Sequence, residues 1–347
     1  MRKNLTRLSL LFVLCLAWPQ VSPAPLIYRP GQGWETSGEG EVEGTSKAQL
    51  AKAQKLEKEK NFEQAAVAYR MLVKTWPLSP NAAEAQYRYA CCLLEVGEPI
   101  KAFKELQKTI ESYPDTPYFN EILQKQYEIG NMFLSGERLR VWSIPTFPSM
   151  DKTVEIYETV IKNGPYSEIA PLAQMKIGFA REKQKNYKAA VEAYENLIRK
   201  YPNSDLVDDA QFQIGFSYMS AARAADYDQT ATRRAITAYQ DYLTRYPKSE
   251  KIEQAQANID KLRAEQARGL FNIARWYDWK DESTSALIYY NEVIQKYPES
   301  DLAKRAKERV EQLNGAPDLG GIETAPAVPE PGDQEEKKTV SSQPADT

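Results

Sequence analysis

Residues 194–215 read YENLIRKYPNSDLVDDAQFQIG, and parts of this stretch return along the chain. The returning part is an aromatic residue, a proline, and a serine or threonine two residues after the proline. Its six copies, the third with glycine in the aromatic position, are TWPLS, SYPDT, NGPYS, KYPNS, RYPKS and KYPES, with prolines at 77, 114, 165, 202, 247 and 298. The spacings are 37, 51, 37, 45 and 51 residues. Periods of this size indicate stacked pairs of helices.

Two positions upstream of each proline keep the same character in every copy. The residues twelve positions before the proline are small or short: Ala65, Ala102, Thr153, Ala190, Ala235 and Ala286. The residues eight positions before it are large: Tyr69, Leu106, Tyr157, Tyr194, Tyr239 and Tyr290. A small and a large residue in constant register predict one packing contact that is repeated in each copy.

Each copy also has the pattern of an amphipathic helix followed by a stop. In YKAAVEAYENLIRKYP (187–202), apolar residues recur every three or four positions, which predicts a helix with one buried stripe. Proline ends that helix, and Ser204 is predicted to cap the next one, whose first turn is acidic. Because each pair leaves an apolar face uncovered, several pairs must stack.

Small residues on the preceding helix complete the pattern; they are Ala53, Ala90, Gly178, Gly215 and Ala274. With the alanine and proline positions, they resemble the tetratricopeptide repeat, although the basic unit here is 37 residues instead of 34. We therefore predict an all-α, tetratricopeptide-like solenoid of about five to six helix pairs over residues 48–313, with disordered termini.

Three insertions lengthen the basic spacing. Residues 136–150 contain two prolines and no helical period, which predicts a loop between helices that carries Trp142, Ile144 and Phe147. Those side chains either fold back onto the repeats or present a surface to a partner. Residues 250–278 lack proline and predict two helices that are either long or nearly end to end, with a bend near Gly269. In the insertion 221–234, Asp228 or Thr230 is a candidate helix cap.

The two ends differ in composition from the middle. Residues 1–24 combine early basic residues with the apolar run LSLLFVLCLAW, which predicts a secretory signal peptide and an exported protein. Leu14 precedes Cys15 where a lipoprotein has a small residue, so a discarded cysteine is favoured over a lipid-modified one. The composition of residues 25–47 predicts a disordered linker, and that of residues 314–347 predicts a disordered acidic tail rich in proline and glutamate.

Composition and motifs argue against catalysis. The chain has no histidine, which excludes Ser-His-Asp triads and HExxH zinc sites. It also has no GxxxxGK[ST], GxGxxG, CxxC or GxSxG motif. We predict no catalytic, cofactor-binding or metal-binding residues; an enzyme with a carboxylate-based site remains the catalytic alternative. The body of the chain, at +1, lacks the basic excess of a nucleic-acid binder.

A narrower resemblance covers most of residues 48–313. Residues 228–306 carry D-x-T before an A-[IV]-x-x-[YF] helix, a YPxS turn, A-x-x-x-I-x-x-L-R-x-x-x-A and a last YPxS repeat. These marks resemble BamD, the YfiO-type outer-membrane component of the β-barrel assembly machinery, and residues 50–114 resemble its opening repeats. The resemblance implies a scaffold at the inner face of the outer membrane that binds unfolded outer-membrane protein segments and other assembly subunits. Periplasmic adaptors of the Tol-Pal-associated CpoB/YbgF type share such repeats and are the alternative.

The repeat register also predicts which side chains face a groove. On the first helices of the pairs these are Gln54, Glu84, Tyr87, Cys91, Gln124, Glu128 and Asn131. Such a mixture suits an extended peptide, because tyrosine supplies contact area and amides pair with a peptide backbone. The alternative for each residue is an ordinary solvated position. The neighbouring Cys91 and Cys92 are expected to be small packing residues.

Overall fold

The computed structural model describes residues 26–29, 33–36, 42–136, 139–141, 144–146, 149–224 and 229–314. Over these ranges the chain forms thirteen α-helices and two pairs of short strands. The helices are α1 Ser46–Lys58, α2 Phe62–Thr75, α3 Ala82–Glu95, α4 Pro99–Ser112, α5 Phe119–Ser135, α6 Met150–Asn163, α7 Ile169–Lys183, α8 Tyr187–Lys200, α9 Val207–Ala224, α10 Gln229–Arg245, α11 Ile252–Trp279, α12 Ser283–Lys296 and α13 Asp301–Asn314. The predicted all-α repeat fold is confirmed.

The helices pack as consecutive antiparallel pairs, from α1 with α2 to α11 with α12, and α13 follows the sixth pair within the described part of the chain. The pair count agrees with the predicted five to six. The chain divides into two compact units, one ending at Lys251 and the other beginning at Ile252. The first unit therefore holds α1 to α10, and the second holds α11 to α13.

The repeated packing contact predicted from the register is present in every pair. All six residues twelve positions before the prolines are fully buried, and the large residues eight positions before them are at most 2% exposed. In three pairs the tyrosine ring of the second helix lies on a glycine of the first helix, and in the α3–α4 pair Leu106 occupies the position of the tyrosine. A Cβ added at Gly215 would lie 2.8 Å from ring carbon Cε1 of Tyr239. Glycine at this position therefore makes room for the ring.

A sixth small residue, Gly130, belongs to the same set but was not predicted. A Cβ added there would lie 2.6 Å from Cε1 of Tyr157. Gly178 and Tyr194 are 16 residues apart, whereas Gly130 and Tyr157 are 27 apart because the 136–150 insertion lies between them. Because of the insertion, Gly130 lies at a different distance along the sequence from its tyrosine, but it makes the same packing contact.

The proline joints are closed turns. In all six, the serine or threonine backbone N–H donates to the carbonyl three residues earlier, as from Ser204 to Tyr201 at 3.0 Å. The Ser204 hydroxyl accepts from the Leu206 N–H at 3.3 Å, one residue before α9 begins. The prediction that Ser204 caps the helix was therefore wrong, since it closes the turn before it. Ser300 does act as a cap, because its hydroxyl accepts from the Ala303 N–H at 3.1 Å within α13.

The insertions differ in how closely they follow the predictions. Residues 252–279 form a single 28-residue helix, α11, so the prediction of two helices bending near Gly269 was wrong. A lone glycine costs a helix only about 1 kcal/mol, which a long uninterrupted sequence tolerates. Thr230 lies inside α10 instead of capping it, and Asp228 lies outside the described residues.

Two short hairpins lie where the sequence predicted irregular structure. The connection between α5 and α6 contains β3 Leu139–Val141 and β4 Ile144–Thr146, which pair antiparallel. Within residues 25–47, β1 Leu26–Arg29 pairs with β2 Gly33–Thr36. The signal peptide 1–24 and residues 315–347 lie outside the described residues, and the predictions for them stay predictions.

A carboxylate of the first helix often meets the buried tyrosine of the second. In the second unit, Asp278 accepts from the Tyr290 hydroxyl at 3.1 Å and from Arg309 Nε and Nη2, each at 2.7 Å. In the first unit, Glu57 accepts from the Tyr69 hydroxyl and from Arg88. In both cases the arginine comes from the first helix that follows, so this trio ties each pair to the next helix.

We expect Asp278→Asn to lower the free energy of unfolding of the second unit by about 1 kcal/mol at pH 7, because Arg309 is partly exposed. Hydrogen bonds from Arg309 lower the pKa of the Asp278 carboxyl below its usual value. The stabilisation is therefore present above the unfolded pKa and is lost as pH falls through the lower folded pKa. Urea unfolding followed by tryptophan fluorescence between pH 7 and pH 2.5 should show the variant and wild type converging at low pH. Asp301→Asn, at an almost fully exposed carboxylate of α13, is the control; equal losses in both variants would contradict the expectation.

Candidate functional site

The seven predicted groove residues lie on three successive first helices of the first unit. Gln54 is on α1; Glu84, Tyr87 and Cys91 are on α3; Gln124, Glu128 and Asn131 are on α5. On α3 the positions 84, 87, 88 and 91 form one stripe, since residues three and four apart share a helix face. We call the surface formed by Gln54, Glu84, Tyr87, Arg88, Cys91, Tyr118, Gln124, Lys125 and Glu128 the first-helix surface.

A polar network joins α1 to α3 on this surface. The Gln54 amide donates to Glu84 Oε1 at 3.0 Å, and Arg88 Nε donates to the same oxygen at 2.7 Å. Arg88 also pairs with Glu57 Oε2 at 3.2 Å. Burial alone would lower the pKa of Arg88, but these acceptors raise it, so the guanidinium stays charged. The predicted residues Gln54 and Glu84 are therefore held in place by an arginine that the sequence reading did not single out.

An aromatic pair lies beside this network. The Tyr87 ring stacks on the Tyr118 ring, with centroids 4.8 Å apart and planes 10° apart. Tyr118 immediately precedes α5, and both tyrosines pack against the buried cluster that includes Ala90 and Ile122. Burial raises the pKa of both phenols, so they are neutral at physiological pH. The pair gives the surface a broad, half-buried aromatic platform with polar hydroxyls.

The remaining part of the surface combines a cation, an anion and a thiol. Lys125 Nζ lies 2.9 Å from Glu128 Oε2, and the exposed Gln124 amide donates to Glu128 Oε1 at 3.0 Å. Partial burial raises the pKa of Glu128, but the hydrogen bonds from Gln124 and Lys125 outweigh it, and the pKa is lowered. Burial raises the pKa of the Cys91 thiol, which is therefore uncharged. The thiol is half-buried and offers a small apolar contact between Tyr87 and Lys125.

Asn131 differs from the other six predicted residues. Its Oδ1 accepts from the Tyr157 hydroxyl at 2.8 Å, across the contact between α5 and α6. The side chain is thus engaged in packing within its own helix pair. The structure brings Gln54, Glu84, Tyr87 and Cys91 together, and Gln124 and Glu128 beside them, but it gives Asn131 a structural partner.

The second predicted site lies in the α5–α6 connection. Ile144 begins β4, whereas Trp142 and Phe147 lie outside the described residues. The prediction that these residues contact the repeats or a partner stays a prediction.

The sequence reading missed Arg88, Tyr118 and Lys125. Tyr118 sits four residues after the proline of the SYPDT joint, in a segment assigned only to a turn. Arg88 and Lys125 each lie at helical spacing from a predicted residue, Glu84 and Glu128 respectively. A helical-wheel reading of each stripe, extended to its charged members, is the signal that finds them.

Among the described helices, none has the length together with the apolar character that crossing a membrane requires.

Two parts of the chain match models of known families. Residues 149–321 match the YfiO family, described as an outer membrane lipoprotein, and residues 84–116 match a tetratricopeptide repeat. The resemblance to the YfiO type is thereby confirmed. No protein of curated function matches the chain.

Similar solved structures include a tetratricopeptide repeat protein from Parabacteroides merdae, with 9% identity, 78% of this chain and 98% of that chain covered, and a TM-score of 0.35. Another is MamA from Desulfovibrio magneticus RS-1, with 15% identity, 60% of this chain and 100% of that chain covered, and a TM-score of 0.32. A third is PilF of Pseudomonas aeruginosa, with 16% identity, 76% of this chain and 97% of that chain covered, and a TM-score of 0.29.

Proposed function

We propose that this protein is a non-enzymatic scaffold at the inner face of the outer membrane. The proposal starts from its YfiO-family domain at residues 149–321 and its tetratricopeptide repeat at residues 84–116. As a scaffold, it takes part in the assembly and insertion of outer-membrane β-barrel proteins. It binds unfolded segments of those proteins on the first-helix surface, and it binds assembly subunits elsewhere on the repeats.

The observation that carries the peptide-binding role is the Tyr87–Tyr118 platform beside the Gln54–Glu84–Arg88 network. An extended peptide presents alternating side chains and a row of backbone N–H and C=O groups. Stacked tyrosines cover apolar or aromatic side chains at little entropic cost, since their rings are already ordered by packing. The adjoining amide, carboxylate and guanidinium groups supply donors and acceptors for the backbone.

The outer-membrane role is supported by the description of the matched family and by the predicted signal peptide. Strands of outer-membrane barrels alternate apolar and polar side chains, a pattern that one aromatic platform flanked by polar groups can accommodate. The competing proposal is a periplasmic adaptor for Tol-Pal or cell-wall enzymes, for which the same helical repeats serve. It differs in its partners, so the partners decide between the two.

We expect affinity purification of the full chain from its native envelope, under mild detergent, to recover a barrel-type assembly subunit together with outer-membrane proteins. A parallel purification from cells producing an unrelated exported protein with the same tag is the control. Recovery of Tol-Pal components or cell-wall enzymes without the barrel subunit would overturn the assembly role and support the adaptor. Metabolic palmitate labelling of the same sample tests whether Cys15 carries lipid.

A further inference from the structure

The second unit contains a basic cleft that the proposed function does not use. The cleft lies between α11 and α13, with α12 beside it, and its volume is about 430 Å³. Its lining includes three arginines, Arg275, Arg305 and Arg309, and two acids, Asp278 and Glu308. On its rim the Trp279 side chain is 78% exposed.

Pairing within the cleft leaves two of the arginines available. Asp278 receives two hydrogen bonds from Arg309 and one from Tyr290, so its carboxylate is already satisfied. Arg305 lies with its guanidinium 5.1 Å from the centre of the Phe271 ring, a contact that leaves its N–H groups unused. Within residues 229–314, neither Arg275 nor Arg305 forms an ion pair. Glu308 is the remaining acid on the cleft.

The chain itself supplies a matching anion. Helix α13, which contributes Arg305, Arg309 and Gln312 to the lining, ends at Asn314, and the following residues 315–323 read GAPDLGGIE. The first carboxylate, Asp318, is four residues beyond Asn314, which is a reach of about 13 Å in extended chain. Residues 315–347 carry seven acids against two lysines. The acidic segment therefore follows directly in sequence on a helix that lines the basic cleft, two residues after the lining residue Gln312.

We propose that residues 315–323 bind back into the cleft, with Asp318 and Glu323 pairing with Arg275 and Arg305. Arginine suits this role because its planar guanidinium binds a carboxylate through two parallel hydrogen bonds. Leu319 and Ile322, which lie between the two acids, cover Trp279. The short tether makes binding intramolecular, so contacts that are weak singly act at a high effective concentration.

Millisecond amide hydrogen exchange of the full chain, read by mass spectrometry, tests this inference. Amides of residues 315–323 should exchange more slowly than those of residues 330–347, and Arg275→Gln/Arg305→Gln should accelerate their exchange about threefold or more, since each exposed pair contributes a factor of about 1.5 to 5. Asp318→Asn/Glu323→Gln should give the same acceleration, and combining all four changes should add little. The matched control is Lys304→Gln/Lys307→Gln, which also removes two positive charges, both from α13, but lies outside the cleft lining.

Exchange of the α11 to α13 amides must stay unchanged in the variants, which shows that the unit is still folded. Three results would overturn the inference. One is equal exchange of residues 315–323 in wild type and the arginine variant. Another is equal acceleration in the lysine control, which would indicate a general charge effect. The third is protection that grows with protein concentration, which would assign the cleft to the tail of a second copy.

Discussion

Tyr194→Ala is expected to lower the free energy of unfolding by about 3–5 kcal/mol, the range for truncating a large buried aromatic side chain. The Tyr194 ring is fully buried, lies on Gly178, and contacts Phe179 edge to face with centroids 6.0 Å apart. Removing it opens a cavity between α7 and α8 at a contact that every pair repeats. Urea unfolding monitored by circular dichroism measures the loss of stability. A Tyr194→Ala variant that does not fold at all would also agree with a large loss.

The phenol oxygen provides the matched control for the ring. The Tyr194 hydroxyl is buried beside the Glu182 carboxylate but does not meet the geometry of a hydrogen bond to it, and Glu182 already accepts from the Ser217 hydroxyl at 2.7 Å. Tyr194→Phe should therefore change the free energy of unfolding by less than about 1 kcal/mol. The equivalent hydroxyl of Tyr157 donates to Asn131 at 2.8 Å, so Tyr157→Phe should cost about 1 kcal/mol. A large loss in Tyr194→Phe would contradict the view that this position stabilises the fold through ring packing alone.

The repeated packing contact could be predicted because it depends on positions counted within one helix pair. Ala190 and Tyr194 keep a constant distance from Pro202, and the helix period places both on the buried stripe. An insertion can hide such a contact: Gly130, separated from Tyr157 by residues 136–150, was not predicted, although Gly215, separated from Tyr239 by residues 221–234, was. The register therefore predicts the fold wherever the chain between the two partners has the standard length.

Buried glutamines were the least expected part of the fold. Gln49 and Gln174, each four residues before a small residue of the first helix, are at most 5% exposed. Their amides donate to the carbonyls of Ala68 and Ala193 at 2.9 and 3.0 Å. Glutamine is usually a surface residue, so composition assigns it to solvent. Only the constant position of glutamine relative to the small residue indicates that its side chain is hydrogen-bonded between two helices. This pattern can be recognised once several copies of the repeat are aligned.

The candidate site was predictable in position but not in its pairing. The stripe placed Glu84, Tyr87 and Cys91 on one face of a single helix, and α3 carries all three; their role in binding stays a prediction. Some partners of this stripe come from other segments: Gln54 of α1 donates to Glu84, Tyr118 stacks on Tyr87, and Arg88 reaches Glu57, 31 residues away. Side-chain pairing between helices depends on their relative rotation and offset, which a single stripe does not specify. For this reason the sequence suggested free amides where the structure has a connected network.

This pairing changes how the peptide-binding surface should be tested. Both tyrosines pack against the buried cluster, but Tyr87 does so from the middle of α3, so truncating it reduces the stability of a helix pair together with binding. Tyr118, in the turn before α5, is the better position for a test. We expect Tyr118→Ala to weaken binding of an extended peptide about 5- to 30-fold, because an aromatic contact of this kind is worth about 1–2 kcal/mol.

The probe for this measurement is a synthetic peptide of the carboxy-terminal strand of an outer-membrane β-barrel protein, titrated into the full chain and followed by fluorescence anisotropy. Tyr166→Ala is the matched control, since Tyr166 follows the proline of the next joint of this type and is fully exposed. Tyr118→Phe should retain most of the affinity, because it keeps the stacked ring. Unchanged affinity in Tyr118→Ala, with helix content and unfolding midpoint also unchanged, would remove the Tyr87–Tyr118 platform from the binding surface. A loss shared equally by Tyr166→Ala would point to a nonspecific effect of tyrosine removal, because only the Tyr118 ring lies in the stacked pair.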